Sequence, residues 1–333
     1  MGDQGHSPGD IERRIRKLES QIAKSAKASE RSSAKRSWSW RPRRPWPLPV
    51  ALLVIAALAA TAYYVIPGLT RARGTDRLGT ATSPARSTLP SPTMAAPFRG
   101  TPAQSYADGA AGILIPAAHP VGTYSAAQVA AAYQTTKQLL VAANLNQPTL
   151  AGGPPEAFAS LLIPPQRTFF QTNLDKNGVN SQGQVTSTRG WVTSFAAGTR
   201  LAGKVIKVYG TLSATTGSDK GAPILLVHAN YLFVYAVTWQ GQPSTLTRIV
   251  DHYIVDVEFG TYTDAGGPLQ PWWQPTGGGD AGAQCGFSDG YIHPQFPGRS
   301  PGKVVPKGRT INPYDLNTEP SGGPGSCQPT TGT

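Results

Sequence analysis

Residues 224–237 read ILLVHANYLFVYAV. Successive side chains of a β-strand point to opposite faces, so this run can be sorted into two sets. One face carries Leu225, Val227, Ala229, Tyr231, Phe233, Tyr235 and Val237. The other carries Ile224, Leu226, Leu232 and Val234, interrupted by His228 and Asn230. A strand apolar on both faces belongs in the middle of a sheet. Three more runs with a period of two surround it: Val185–Phe195, Lys204–Leu212 and Leu246–Phe259. Gly, Pro, Ser and Asp turns separate them, short enough for an antiparallel meander of four strands.

Upstream of these runs the period changes to that of a helix. In Tyr124-Ser125-Ala126-Ala127-Gln128-Val129, Ser125 is an N-cap and Gln128 completes a capping box, while Tyr124 can staple onto Val129. The helix so started runs to about Asn144. A second, Ala157–Ile163, follows the Gly152-Gly153-Pro154-Pro155 turn, and Pro164-Pro165 ends it and starts a third carrying Phe169 and Phe170. Helices followed by strands predict an α+β domain over residues 120–260, with the N-terminal helices packed on the sheet.

Further upstream, Leu48–Ile66 passes 19 residues without a charge. A helix of that length crosses the roughly 30 Å hydrocarbon core of a bilayer. Trp46, Tyr63 and Tyr64 fall where amphipathic rings favour the membrane–water interface. Twelve Lys and Arg lie between Arg13 and Arg44, against four in the twenty residues after the apolar run. Arg41, Arg43 and Arg44 stand closest to it. The positive-inside rule therefore puts residues 1–47 in the cytoplasm and the large domain outside. Ala59-Ala60-Thr61-Ala62 could pass for a signal-peptidase site, but a signal core is usually 7–15 residues, so a retained signal-anchor is the reading.

The arm 1–47 also carries a short apolar seam, Ile11, Ile15, Leu18 and Ile22, that suits a fraying amphipathic helix or a dimer contact. Residues 67–119, rich in Pro, Ser and Thr at their start, read as a linker lifting the domain off the bilayer. The formal charge of +12 is concentrated in the arm, where 12 basic residues face 5 acidic ones. Beyond residue 99 there are 13 basic and 12 acidic side chains, so the domain outside has no nucleic-acid signature. The arm is instead suited to anionic lipid headgroups.

The order of helices and strands in 120–260, with the capped helix Ser125–Asn144, resembles the nuclear-transport-factor-2-like fold, in which helices pack into a curved, cone-like antiparallel sheet. With the basic arm, single anchor and linker added, the whole layout resembles the bitopic inner-membrane scaffold proteins of conjugative type IV secretion systems. That resemblance implies a scaffold that binds other envelope proteins, and the topology with no catalytic constellation makes it a non-enzymatic one, with a homo-oligomer left open. The same cone fold also hosts isomerases and dehydratases with an Asp or His base in an apolar cavity, which implies an alternative: a membrane-tethered enzyme or small-ligand binder.

The candidates for that alternative are His228, Asn230 and Asp251. Asp251 shares a face with Ile249, Tyr253, Val255 and Val257, and desolvation there would raise its pKa as a general base needs. The competing expectation is structural: Asp251 solvated near its strand's start or paired with Arg248, and His228 and Asn230 bonded to loops. His252, Asp256 and Glu258 alternate on the opposite face and read as solvent-exposed. The chain lacks a P-loop, a G-x-S-x-G elbow, an H-E-x-x-H helix and a dinucleotide fingerprint, so no cofactor is called for. Cys285, His293 and Cys327 match no common zinc spacing.

Residues 261–333 are dense in Gly and Pro yet hold Trp272, Trp273, Phe287, Tyr291, Phe296 and Tyr314. Irregular chain wrapped against the sheet is expected, stapled by a disulfide between Cys285 and Cys327, the two cysteines of the chain, with pairing between protomers as the rival. The topology is directly testable. Protease added to wall-stripped cells should remove the chain after about residue 70 and spare the arm. Changing Arg41, Arg43 and Arg44 together to Glu should produce inverted or uninserted protein, and a protected large domain in the native chain would overturn the orientation.

Overall fold

The computed structural model describes residues 89–176, 187–219, 222–261, 268–287, 289–299, 306–318 and 328–333, together with Arg16 and Val304. The arm and its arginines, the apolar run Leu48–Ile66, the first part of the linker and Cys327 lie outside the described residues. Among the described residues no helix is long and apolar enough to cross a membrane.

The domain is α+β. Its helices are α1 (Ala126–Asn144), α2 (Gln147–Leu150), α3 (Glu156–Ala159) and α4 (Pro164–Asn173). The strands are β1 (Ala107–Asp108), β2 (Thr199–Asp219), β3 (Ala222–Trp239), β4 (Gln242–Gly260) and β5 (Gln270–Ala281). They form one antiparallel sheet in the order β1-β2-β3-β4-β5.

Helix α1 begins as its capping box dictates. The Gln128 amide donates to Ser125 Oγ at 3.3 Å, and the Ser125 amide donates to Gln128 Oε1 at 2.9 Å. Tyr124 and Val129 are both buried at the staple positions, and the Tyr124 hydroxyl donates to the Pro223 carbonyl at 2.8 Å, fixing the helix start to the head of β3. Val129, Ala132, Tyr133, Thr136, Leu139, Leu140 and Ala143 form the buried stripe of α1. Helix α3 is shorter than the apolar run predicts and loosens into turns after Ala159. Arg167 takes up the carbonyls this leaves, donating to Ala159, Ser160 and Leu162 at 2.8, 2.8 and 3.0 Å.

The strand predicted over Val185–Phe195 is not one in its described part. Residues 189–191 make a 3₁₀ turn, and Phe195 alone bridges to Ile292. The physical reason is Arg189: its side chain is buried and turns inward toward Asp175, which a strand in this register would not allow. The sheet's remaining long strand comes from the tail instead. Two features hid β5 in the sequence, its prolines and its glycines at 277–279. Pro271 and Pro275 are tolerated because β5 is an edge strand, where a missing N–H breaks no ladder. Gln166 of α4 guards that edge: its side chain donates to the Trp273 carbonyl at 2.8 Å and accepts from the Trp273 amide at 3.0 Å.

Residues 89–119, expected as linker, belong to the domain: Phe98, Ala103 and Ile113 are buried, and β1 pairs with Lys207 and Val208 of β2. So the sheet is covered on both faces. The helices fill the concave side around Phe158, Phe170, Phe233, Tyr235 and Trp273. On the other side, Leu232, Val234, Ala236 and Val250 are covered by Phe98 and Ala103 from upstream and Tyr314 from the tail. Register shifts between Leu201 and Ile206, Val237 and Trp239, and Ile254 and Val255 are the bulges that let these long strands bend.

Arg248 holds the second covering in place. It is 1% exposed on the outer face of β4. Its guanidinium donates to the carbonyls of Pro97, Thr333, Pro90 and Arg99, so one side chain binds both straps to the sheet. Substituting Arg248→Leu strands those carbonyls and should cost about 2–4 kcal/mol. Chemical unfolding would read the loss, and limited proteolysis should show cleavage near residues 90–100 before the sheet opens.

Candidate functional site

The sheet sorts the sequence candidates onto two faces. His228 lies on the outer face opposite Asp256, with its Nδ1 2.7 Å from Asp256 Oδ1. Asn230, on the same face, meets His252 Nε2 through its Oδ1 at 2.7 Å and donates to the Leu316 carbonyl at 3.1 Å. His252 is 5% exposed rather than open to solvent, and Asp256 and Glu258 are half-buried. Their expected exposure fails for a tertiary reason: the tail around Tyr314–Leu316 lies over this part of the strands. The Asp315 carboxyl in that tail accepts from the Thr318 hydroxyl at 2.7 Å and the Asn317 amide at 3.0 Å, which holds it below the usual carboxylate range.

Asp251 is on the concave face and 5% exposed, so neither the solvated position nor a pair with Arg248 holds. Arg248 projects from the opposite face. Two neighbours define the surroundings of Asp251. Thr193 Oγ1 stands 2.7 Å from Asp251 Oδ2 and 2.7 Å from Asn144 Oδ1, at the C-terminal end of α1. Across the ladder, Asp251 pairs with Asp280 of β5. Directly opposed residues of an antiparallel pair carry their Cβ atoms about 5 Å apart on one face, so the two acids confront each other.

Burial dominates the chemistry of this pair. Desolvation pushes Asp251 up to about 7, against the lowering effect of the Thr193 hydroxyl. Asp280 is exposed along the sheet edge beside the side-chain-free Gly277–Gly279, yet its carboxyl is crowded by protein on the concave side. That crowding, then the charge of Asp251, drives its pKa well above the ordinary value. Tyr235 and Tyr253 flank the pair. Their hydroxyls donate to the Asn144 and Trp191 carbonyls, and burial followed by the nearby acid holds both phenols neutral. The arrangement can store and exchange a proton between two carboxyls, a property of the pair rather than of either residue.

His228 and Asp251 therefore do not converge. A sheet lies between them, and no reaction step can use both. Asp280, Thr193 and Asn144 were not legible as site residues, because Asp280 sits in a Gly-rich stretch whose strand is hidden and Thr193 in a segment that reads as a strand. A separate ion pair, also without a local signal, ties the periphery together. Arg189 donates to both Asp175 oxygens at 2.9 Å and to the Gly153 carbonyl at 2.9 Å, under the ring of Tyr291, whose hydroxyl reaches Asp175 at 3.1 Å. Cys285 is half-buried, bridges by backbone to Val304 and is not a free thiol. Among the described residues no group of three or more His, Cys, Asp or Glu could hold a metal ion.

Compared with protein-family models, with curated proteins and with solved structures, the chain matches none.

The two faces should respond differently to substitution. His228→Ala removes a pair whose histidine is 41% exposed and should change stability by less than about 1 kcal/mol. Asn144→Leu removes the bonds to Thr193 and to the Leu140 carbonyl and sets an apolar side chain against Asp251, and it should cost about 2–3 kcal/mol. Parallel urea titrations would separate them, and equal losses would deny that the concave polar cluster matters more.

Proposed function

We propose that this chain is a single-pass envelope protein whose domain outside the membrane is a non-enzymatic scaffold for other envelope proteins, as in a conjugative transfer assembly. The observation that supports the reading is the filled concave face. Phe158, Phe170, Phe233, Tyr235 and Trp273 are fully buried there in one apolar cluster, with no open space marked by an exposed side chain among them. The separation of His228 from Asp251 supports it too, since the acid–base pair that an enzyme of this fold would draw on is divided by the sheet. The charge-free run Leu48–Ile66 and the basic arm supply anchor and orientation, with anionic lipid as the arm's partner. A Cys285–Cys327 bridge, closing the tail outside the cytoplasm, belongs to the same reading.

The rival, a tethered enzyme or ligand binder, has one observation in its favour: Asp280 is exposed beside a buried acid of raised pKa.

Photo-crosslinkers placed at the exposed side chains Met94, Leu114 and Tyr209 in the full-length chain test the scaffold in living cells. Capture of other membrane or wall-associated proteins, with loss of DNA transfer on deletion of the gene, is expected. Unchanged transfer together with capture of nothing but lipid would overturn it. Mass spectrometry of the unreduced, alkylated chain checks the bridge, and two alkylated thiols in envelope-derived protein would remove it.

A further inference from the structure

Thr193 has one hydroxyl proton and three oxygen neighbours: Asn144 Oδ1 and Asp251 Oδ2, each at 2.7 Å, and the Tyr235 hydroxyl, whose own proton goes to the Asn144 carbonyl. One of them is Asn144 Oδ1, and the orientation of that amide is set from its other side. Asn144 Nδ2 donates to the Leu140 carbonyl at 3.1 Å. Turning the amide over would bring two carbonyl oxygens together at that distance. Asn144 Oδ1 is therefore an acceptor, and the Thr193 proton goes to it. The short contact between Thr193 Oγ1 and Asp251 Oδ2 then requires a second proton, which only Asp251 can supply.

We infer that Asp251 is a protonated donor in a relay, Asp251 to Thr193 to Asn144, that latches the C-terminal end of α1 to β4 and releases when the acid ionises. The groups facing Asp251 leave little else to hold a proton. They are Asp280 from β5, Tyr253 from β4, Tyr235 from β3, and the uncharged Thr193 and Asn144. Among the described residues neither acid makes an ion pair with a Lys or Arg. On ionisation the Thr193 proton turns to the Asp251 carboxylate. Asn144 Oδ1 is then left facing a lone pair, or the amide flips and loses Leu140. Either way the contact between α1, the Val192–Phe195 segment and the sheet is weakened.

An acid with a folded-state pKa above its unfolded value binds more protons when folded, so its contribution is full below the unfolded pKa and lost as pH rises through the folded one. For Asp251 that window runs from 3.8 to about 7. The midpoint of thermal unfolding of the full chain in detergent should be lower at pH 8 than at pH 5 by about 5 °C or more. Asp251→Asn, which keeps a donor toward Thr193 and cannot ionise, should remove at least half of that fall. The outer-face pairs of His228 and His252 are unchanged in this variant, so their titration cancels from the comparison. Should Asp251→Asn fail to fold, carboxyl ¹³C resonances of the aspartate-labelled native chain decide the matter, with Asp280→Asn aiding assignment. A neutral Asp251 at pH 5 with a midpoint near 7 is expected. An ionised Asp251 at pH 5, or an undiminished fall in Asp251→Asn, would overturn the latch.

Discussion

Strand β3 has no polar face along most of its length, and that constraint governs the rest of the domain. Leu225 to Val237 on one side and Leu232, Val234 and Ala236 on the other are each buried. Hydrophobic burial is worth roughly 25 cal/mol per Å², so leaving either face open would forfeit several side chains' worth of it. The helices α1 to α4 cover the concave face. Among the described residues no second layer of helices covers the other face, and the two segments that flank the folded core in sequence cover it instead. Arg248 is what makes this covering specific, because it converts irregular strap backbone into a satisfied hydrogen-bond acceptor set.

The same constraint accounts for the placement of polar groups. On the outer face the histidines and Asn230 interrupt the apolar row where the tail contributes backbone partners, as at the Leu316 carbonyl. On the concave face, polar residues survive only where they satisfy one another. Asn144 ends α1, Thr193 follows a 3₁₀ turn, and Asp251 meets both at a point where the sheet, the helix end and a loop come together. A buried acid with no cationic partner among the described residues stays neutral more cheaply than charged, which turns a packing problem into a proton-binding property.

Sequence patterning was most informative where it acts locally. The Ser125–Gln128 capping box, the end of α1 at Asn144, the course of β3 and β4, and the face assignments of Asp251 and His228 depend on residues a few positions apart. They appear as read. The α+β class follows from the order of those segments. The failures are long-range. Thr188 to Phe195 has a strand-like spacing, but the Arg189–Asp175 pair, 14 positions apart, draws it into a turn. Gln270–Ala281 has a loop-like composition, but an edge position removes the penalty on its prolines, and Gln166, 107 positions away from Trp273, supplies the backbone partner.

What the sequence by itself determined is the alternation of apolar side chains along β3 and β4, the capped helix before them, and the uncharged run with its asymmetric flanking arginines. Periodicity and charge bias are properties of neighbouring residues and need no fold to be read. Only the tertiary structure decided that Asp251 faces Asp280, that His252 is covered, and that residues 89–119 are part of the domain. Each of these depends on which distant segment arrives beside a given strand. That choice is made by satisfying buried polar groups and filling space across the whole chain, which no local pattern encodes.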